Sequence, residues 1–247
     1  MITLTTILYE GNFEKTLTDD CWFFQFNSEL ITNKLIVVNN ITSVDLFWEK
    51  VGDLKKIHSF DVVMVKGNES IIDTYNLSID ESTIGYVYTI PYFVLIESVP
   101  TEFILHVATD CMGDILVDDD FLLKGINEIK TNPLCSTTMI SWVTDNKLMD
   151  FNGLTVGQYE ENETSDDVST GEFNYTKGFT DQFFMGKLTT LKSINYNLPS
   201  QYSNTYKGPV YGGNCFEKRM VGHQNYNSIY NCVFKGKQYY IHDNVYY

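Results

Sequence analysis

Residues 101–130 read TEFILHVATDCMGDILVDDDFLLKGINEIK and combine an apolar run, an acid that follows it and a helical pattern. The run FILHVA at 103–108 is typical of a strand that is covered on both faces of a sheet. Asp110 comes where this run stops, and ligands bind at the carboxyl ends of the strands in open α/β sheets. The stretch therefore predicts a buried central strand that delivers a carboxylate to a ligand-binding edge. Taken alone, Asp110 is equally typical of a turn.

The second half of this stretch predicts a helix. Apolar residues recur with helical spacing from Phe121 to Ile129, and Asn132-Pro133 ends the pattern. The residues that precede it are three consecutive acids, Asp118, Asp119 and Asp120. Acids at this position cap a helix and complement its dipole. We therefore expect them to start the helix rather than to bind a ligand.

Strands and helices alternate through the first 134 residues. Strands are predicted at 1–8, 34–38 and 60–65, and helices at 43–51 and 84–99. Ser43 is the expected N-cap of the first of these helices, and Pro91 marks a start or a kink in the second. This alternation favours the α/β class, with a mostly parallel central sheet flanked by helices.

The second half of the chain changes character. The predicted elements are a strand at 135–142, a helix at 179–191 that begins with Thr180-Asp181-Gln182, a helix from Phe216 and a terminal strand at 238–241. The stretch 145–175 is polar and densely acidic at its centre, which predicts an inserted surface loop or a hairpin of low order. No repeat or linker divides the sequence, so a single domain over 1–247 is expected.

The charge balance argues against one class of partner. The chain of 247 residues has 17 basic and 32 acidic side chains and a net charge of −15, which disfavours binding to nucleic acid. Five cysteines without Cys-x-x-Cys spacing favour reduced thiols in a cytoplasmic protein. No apolar stretch approaches the roughly 20 residues that a membrane-spanning helix needs, so no integral membrane segment is expected.

Five motifs, in this order, resemble nucleotide-sugar glycosyltransferases of the GT-A fold. They are HVATDCMGD at 106–114, CSTTMISW at 135–142, TKGFTDQFF at 176–184, YGGNCFEKRM at 211–220 and YYIH at 239–242. The resemblance covers most of the chain. It implies a GT-A-like, Rossmann-related fold in which 1–134 form the half that binds the nucleotide-sugar donor and 135–247 the acceptor half.

The resemblance also implies a metal ion and a donor site. In that family an Asp-x-Asp motif ends a central strand and binds a divalent cation that bridges the donor diphosphate. Here the triplet reads Ala108-Thr109-Asp110, so only its last acid is retained. Asp110 and the C-terminal His242 would hold Mn²⁺ or Mg²⁺, which neutralises charge on the departing diphosphate of a donor, most simply a UDP-sugar. The residues placed near the donor nucleoside are Thr5, Thr6, Tyr9, Asn39 and Asp61.

Transfer to a glycan or another hydroxyl acceptor needs a base that removes the hydroxyl proton. Glu217, after the turn at 211–214, resembles the acid of the family's acceptor-side motif, and Asp181 is the second candidate. Both acids are also typical of the first turn of a helix. His242 could equally be a surface histidine, and His106 lies in the apolar run and is expected to be a core residue.

The expected activity is thus a metal-dependent, inverting, hexosyltransferase-like transfer. Two alternatives stay open. One is a sugar nucleotidyltransferase, which is disfavoured because the first strand is not followed by a glycine-rich loop that carries a lysine. The other is a non-catalytic carbohydrate-binding or structural protein with a degenerate GT-A fold, which the incomplete triplet favours.

Overall fold

A computed structural model describes residues 1–68, 70–75, 84–112, 115–144, 147–148, 171–176, 179, 181–194, 216–235 and 239–241. The strands are β1 (Ile2–Leu8), β2 (Ile31–Val38), β3 (Asp61–Met64), β4 (Phe103–Val107), β5 (Ile115–Leu116), β6 (Cys135–Met139), β7 (Ser141–Thr144), β8 (Lys147–Leu148), β9 (Phe173–Thr176), β10 (Phe183–Lys187), β11 (Tyr230–Phe234) and β12 (Tyr239–Ile241). The helices are α1 (Phe13–Thr16), α2 (Trp22–Gln25), α3 (Val44–Leu54), α4 (Ile71–Thr74), α5 (Ile84–Ser98), α6 (Asp119–Thr131), α7 (Leu188–Ser193) and α8 (Phe216–Asn227), and a 3-10 turn spans Thr109–Cys111.

The central sheet has the strand order β3-β2-β1-β4-β10-β6-β11-β9 within the described residues. Strands β1 to β4 are mutually parallel. Strand β10 is antiparallel to both β4 and β6, whereas β11 is parallel to β6. The prediction of an α/β fold with a mostly parallel central sheet and flanking helices is therefore confirmed.

The two central strands β1 and β4 are buried along their whole length. Phe47 of α3 and Phe121 of α6 belong to the apolar cluster on one side of the sheet, and Phe93 of α5 belongs to the cluster on the other. Because both faces are covered, neither strand has an exposed polar side: β4 is apolar apart from one buried histidine, and β1 combines apolar residues with three buried threonines. The prediction that residues 103–108 contain a buried central strand is confirmed, and its carboxyl end lies beside that of β1.

The helices α3 and α6, for which a capping residue was predicted, differ in how their first turns are capped. Asp118 accepts a hydrogen bond from the backbone N–H of Phe121 at 3.1 Å and caps α6, as expected. Ser43 precedes α3 but its side chain caps no helical N–H. Instead the Ser43 hydroxyl donates to Glu10 Oε1 at 2.5 Å, and Glu10 Oε2 accepts from the backbone N–H of Thr42 at 2.7 Å and of Ser43 at 3.2 Å. The Glu10 carboxylate thus holds the two residues that lead into α3, and the predicted capping by Ser43 is wrong.

The prediction of a helix at 179–191 is wrong. Residues Phe183–Lys187 form β10, and only Leu188–Ser193 are helical. Strand β10 lies between β4 and β6, where Phe183, Phe184 and Met185 are at most 1% exposed. A strand that is buried on both faces lacks alternation, so its short apolar run cannot be distinguished from a buried helix by periodicity.

Two other predicted boundaries also shift. The strand predicted at 135–142 divides, because β6 ends at Met139 in the central sheet and β7 belongs to a second sheet. The predicted loop at 145–175 includes part of a strand, since Phe173 and Tyr175 of β9 are buried in pairing with β11. The acidic centre of that stretch lies outside the described residues.

The second sheet has the order β5-β12-β7-β8 and contains the predicted terminal strand as β12. Strand β12 pairs antiparallel with β5 and parallel with β7. In the described part of the chain, no helix is both long enough and apolar enough to cross a bilayer. The four described cysteines, Cys21, Cys111, Cys135 and Cys232, form no disulfide bond. The cytoplasmic location stays a prediction.

Candidate functional site

The carboxyl edge of the central sheet collects residues from both halves of the chain. Strands β1, β2 and β4 end there and β10 begins there, since it runs in the opposite direction. The backbone N–H of Asn39, after β2, donates to Leu8 at the end of β1 across 2.8 Å. The backbone N–H of Ala108, after β4, donates to the carbonyl oxygen of Gln182 across 2.7 Å. The segment that follows β4 therefore meets the segment that leads into β10.

Asp110 lies in the 3-10 turn Thr109–Cys111 at this edge. Its backbone follows the end of β4, as the sequence predicts, while its side chain is outside what the structure describes. The side-chain amide of Asn12 donates to the Thr109 hydroxyl at 2.6 Å, and Asn12 Oδ1 accepts from the backbone N–H of Tyr9 at 2.8 Å. The turn is therefore connected to the end of β1.

His242, the second predicted metal ligand, lies outside the described residues. Ile241, the residue before it, ends β12. Strand β12 pairs antiparallel with β5, with Tyr240 opposite Ile115, and Ile115 comes five residues after Asp110 in the sequence. This pairing brings the C-terminal strand next to the segment that follows the Asp110 turn. A shared ion between Asp110 and His242 stays a prediction.

The chemistry of the edge fits a metal ion that is bound partly by its substrate. Among the described residues, no group of three or more His, Cys, Asp or Glu side chains could hold a metal. Mg²⁺ in phosphate-transfer sites is commonly held by one or two carboxylates together with substrate phosphates and water. Asp110 lies on a turn at the edge where ligands of α/β sheets bind, and metal binding by its carboxylate stays a prediction.

The two predicted bases lie around one tyrosine. Tyr92 on α5 stacks on Phe216, the first residue of α8, with ring centroids 4.6 Å apart and planes at 3°. The Tyr92 hydroxyl donates to the carbonyl oxygen of Asp181 at 3.2 Å. Glu217 follows Phe216 in the first turn of α8, and its side chain is outside what the structure describes. The structure thus brings the start of α8 and the backbone of Asp181 together.

Asp181 does not cap a helix. It precedes strand β10 by two residues, and its side chain is partly exposed. The alternative explanation of Asp181 as the capping acid of a helix is therefore wrong. Phe216 is fully buried and contacts the rings of Phe93 and Phe179 edge to face, so the start of α8 is embedded in an aromatic cluster.

The residues predicted near the donor nucleoside divide into two groups. Tyr9 and Asn39 lie at the carboxyl edge, directly after β1 and β2. Thr5 and Thr6 lie inside β1 and are 0% exposed, and Asp61 is the first residue of β3 rather than its last. Contact with a nucleoside stays a prediction for all five residues, and the geometry favours only the first two.

His106 is a core residue, as expected. It is fully buried between the rings of Tyr92 and Phe184, with centroid distances of 5.1 and 5.4 Å. Its Nδ1 is 3.2 Å from the hydroxyl of Thr5, while its Nε2 has no hydrogen-bond partner in the part of the chain that the structure describes. Burial lowers the pKa of His106 to about 3, so the ring is neutral at physiological pH.

Three residues of the edge were not singled out from the sequence. Asn12 lies in a short polar segment after β1, and its side chain accepts from the backbone N–H of Tyr9. Asparagine is common in turns because its side chain forms such hydrogen bonds with nearby backbone. Gln182 was assigned to a helix that does not exist, and Tyr92 is one of many aromatic residues in an apolar helix. Only Asn12 had a local signal that could have identified it.

Comparison with known proteins gives a consistent result for the fold. No protein-family model matches the sequence, and no curated protein does. Among solved structures, S. aureus TarS 1-349 in complex with UDP-GlcNAc is similar with a TM-score of 0.52 and 15% identity, over 100% of this chain and 61% of that one. Mouse xyloside xylosyltransferase 1 in its apo form has a TM-score of 0.53 and 9% identity, over 94% of this chain and 85% of that one.

GalNAc-T7 with UDP, GalNAc and Mn²⁺ has a TM-score of 0.53 and 8% identity, over 98% of this chain and 43% of that one. This chain spans 61% of the length of TarS 1-349. These similarities agree with the mostly parallel α/β sheet described above. The chain has the GT-A fold found in nucleotide-sugar glycosyltransferases.

Proposed function

We propose that this protein transfers a sugar from a nucleotide-sugar donor, a UDP-sugar in the simplest case, to a glycan or another hydroxyl acceptor. The observation that carries the proposal is the position of Asp110, on a turn after the central strand β4 at the carboxyl edge of a GT-A sheet. In open α/β sheets this edge is where nucleotides bind. Residues 1–134 would bind the donor and 135–247 would supply most of the acceptor side.

The proposed metal is Mn²⁺ or Mg²⁺, bound by Asp110 with His242 as the second ligand. When bound, it would neutralise negative charge that develops on the diphosphate. One of the solved structures of the same fold contains UDP and Mn²⁺. On the donor side, Tyr9 and Asn39 are the two predicted contacts that lie at the edge, and Thr5, Thr6 and Asp61 are kept as weaker predictions for the reasons given above.

The proposed reaction is an inverting displacement. The acceptor oxygen forms a bond to the anomeric carbon while the bond from that carbon to the phosphate oxygen breaks. The acceptor proton goes to the carboxylate of Glu217, and the nucleoside diphosphate leaves with the bonding electron pair. Asp181, whose backbone lies near the start of α8, is the alternative base or a hydrogen-bonding partner of the acceptor hydroxyl.

A second candidate function is sugar binding without catalysis. The feature that favours it is Ala108, which stands where the family motif has its first acid. A binding protein would recognise a sugar or a nucleotide-sugar but would not break the glycosyl bond. The two functions differ in whether donor is consumed.

The test begins with a thermal-shift screen of UDP-, GDP-, CMP- and dTDP-sugars with and without Mn²⁺. A donor at a hundredfold excess over its dissociation constant should stabilise the protein by about 2.7 kcal/mol. The donor that binds is then incubated with the protein, and its slow hydrolysis is followed with and without Mn²⁺. Hydrolysis that requires Mn²⁺ supports the transferase, whereas binding without hydrolysis or transfer to any acceptor supports the second candidate.

Asp110→Asn should abolish the Mn²⁺ dependence of donor binding. Asp53→Asn is the matched control, because it removes the same charge from an exposed acid near the end of α3, on the opposite edge of the sheet. Full Mn²⁺ dependence in Asp110→Asn would contradict the metal assignment.

A further inference from the structure

The turn that carries Asp110 is held by side chains from two other elements. The Asn12 amide, in the segment after β1, donates to the Thr109 hydroxyl at 2.6 Å. On the other side, Gln182 accepts twice. Its carbonyl oxygen accepts from the backbone N–H of Ala108 at 2.7 Å, and its Oε1 accepts from the Cys111 thiol at 3.1 Å.

These contacts involve the residues on both sides of Asp110. Ala108 and Thr109 precede it and Cys111 follows it. Within the turn itself, the backbone N–H of Cys111 donates to Ala108 at 3.0 Å. A 3-10 turn of three residues has little internal hydrogen bonding, so external partners determine how well its geometry is fixed.

Both external partners are themselves anchored. Asn12 Oδ1 accepts from the backbone N–H of Tyr9 at 2.8 Å, so the amide group is oriented by the end of β1. Gln182 immediately precedes β10, whose first residue Phe183 pairs with Val107 of β4. The Asn12 contact joins residues 97 positions apart, and the Gln182 side-chain contact joins residues 71 positions apart.

We propose that Asn12 and Gln182 are positioning residues that together clamp the Asp110 turn in the geometry needed to bind a divalent cation and a nucleoside diphosphate. The inference rests on the proposed function. The triplet contains one acid, because Ala108 has replaced the first, so no second carboxylate of the triplet can compensate when Asp110 is misoriented. Residues that orient a metal ligand typically contribute about 10- to 100-fold to metal affinity or activity.

The test compares two substitutions of Thr109. Thr109→Val removes the hydroxyl that accepts from Asn12 and keeps the shape of the side chain, whereas Thr109→Ser keeps the hydroxyl. Calorimetry then measures the dissociation constant of the nucleoside diphosphate that binds best among UDP, GDP, CDP and dTDP, with and without Mn²⁺. We expect Thr109→Val to weaken Mn²⁺-supported binding by about 10- to 100-fold, with little change in metal-free binding. Thr109→Ser should bind the nucleotide with Mn²⁺ as tightly as the wild-type protein.

Gln182→Met tests the other side of the clamp, because methionine has a similar length but lacks the Oε1 acceptor. It should weaken Mn²⁺-supported binding in the same way. Thr131→Val is the matched control, since it removes a hydroxyl that donates to the backbone oxygen of Asn127 near the end of α6. This control should bind the nucleotide and Mn²⁺ like the wild-type protein.

Hydrogen exchange of residues 108–112 gives a second measurement that needs no ligand. Both Thr109→Val and Gln182→Met should exchange faster there than wild type. Wild-type protein that binds no nucleotide with any metal would contradict the proposed function, while the exchange data would still test the clamp. Unchanged exchange in both variants, or a lower melting temperature with unchanged Mn²⁺-supported affinity, would overturn the positioning role.

Discussion

The ring of Tyr92 lies parallel to the ring of Phe216, with centroids 4.6 Å apart and an angle of 3° between the planes. The hydroxyl of the same tyrosine donates to the carbonyl oxygen of Asp181 at 3.2 Å. One side chain of α5 therefore contacts the residue before Glu217 and the backbone of Asp181. The backbones at the two candidate bases are therefore anchored at the same buried aromatic cluster.

The first prediction separates these two acids. Glu217→Gln should keep donor and metal affinity while the rate of transfer falls by about 10² to 10⁴, the usual contribution of a general base. Asp181→Asn should reduce transfer less, mainly by weakening acceptor binding. Steady-state kinetics on the donor found by the screen, with the nucleotide affinity measured separately, distinguishes the two effects.

Near-normal turnover of Glu217→Gln would remove Glu217 from the mechanism. If Asp181→Asn binds donor and does not transfer the sugar, the roles of the two acids are reversed. Tyr92→Phe serves as the control for position, because it keeps the ring that stacks on Phe216 and removes the hydroxyl that donates to Asp181.

Much of the first half of the chain was predictable because its signals are local. The apolar run before Asp110 forms strand β4 as predicted. The acids before Phe121 start helix α6, and its two ends were predictable because a capping acid precedes the helix and a proline follows it. Strand β10 was not predictable in this way. Phe183 and Phe184 face opposite clusters of the core, so burial on both faces removed the alternation that identifies a strand.

The candidate site depends on contacts that no local pattern encodes. Asn12 meets Thr109, and β12 meets β5, only because the sheet order places the ends of distant segments together. The apolar run identified Asp110 and the family resemblance added Glu217, but neither could identify the residues that contact the turns around them. Their identification required the three-dimensional pairing of β10 with β4.

The second prediction concerns two glycines with opposite surroundings. A Cβ at Gly125 of α6 would lie 2.3 Å from Met185 Cε and 2.8 Å from Thr138 Oγ1, whereas a Cβ at Gly52 of α3 would meet nothing within 4 Å. Gly125→Ala should therefore destabilise the protein by about 1 to 3 kcal/mol through overpacking. Gly52→Ala should stabilise it by about 0.5 to 1 kcal/mol, the usual difference between alanine and glycine in a helix.

Urea unfolding of both variants checks this pair. The m-values should match that of wild type, so that the midpoints report stability alone. A stabilising effect of Gly125→Ala would mean that Met185 moves aside without cost and that α6 is not tightly packed on the sheet.

The third prediction concerns Glu10 at the start of α3. Hydrogen bonds from the Ser43 hydroxyl and from the backbone of Thr42 and Ser43 lower the pKa of Glu10 from 4.5 to about 2. Because the folded-state pKa is the lower one, the stabilisation is present above about pH 4.5 and is lost as the pH falls towards 2. Glu10→Gln should therefore lower the melting temperature at neutral pH and differ less from wild type at low pH.

Glu14→Gln is the control for Glu10, because it removes an exposed acid from the adjacent helix α1. Its difference from wild type should not follow the same pH dependence. Since the Glu10 carboxylate is exposed, salt should also reduce its effect. A difference between Glu10→Gln and wild type that is constant from pH 7 to pH 2.5 would contradict a stabilising role of the ionised Glu10 carboxylate.

The last prediction concerns the pH dependence of the core. Burial lowers the pKa of His106 from 6.5 to about 3, so between these values the unfolded chain binds a proton that the folded chain does not. Stability is therefore unaffected by His106 above about pH 6.5 and falls as the pH drops below it. The linkage relation gives a loss of about 2 kcal/mol between pH 7 and pH 5 from this group alone.

Two variants isolate this effect from changes in packing. His106→Leu and His106→Phe both remove the titrating ring, but they fill its site between Tyr92 and Phe184 differently. Each has its own packing cost, which is independent of pH and is measured at pH 8. Below pH 6.5 the free energy of unfolding of both variants should fall less steeply than that of wild type, by about 2 kcal/mol in total at pH 5. Parallel curves for all three proteins from pH 8 to pH 5 would mean that His106 accepts a proton in the folded state, which would require an acceptor or water next to Nε2 within the core.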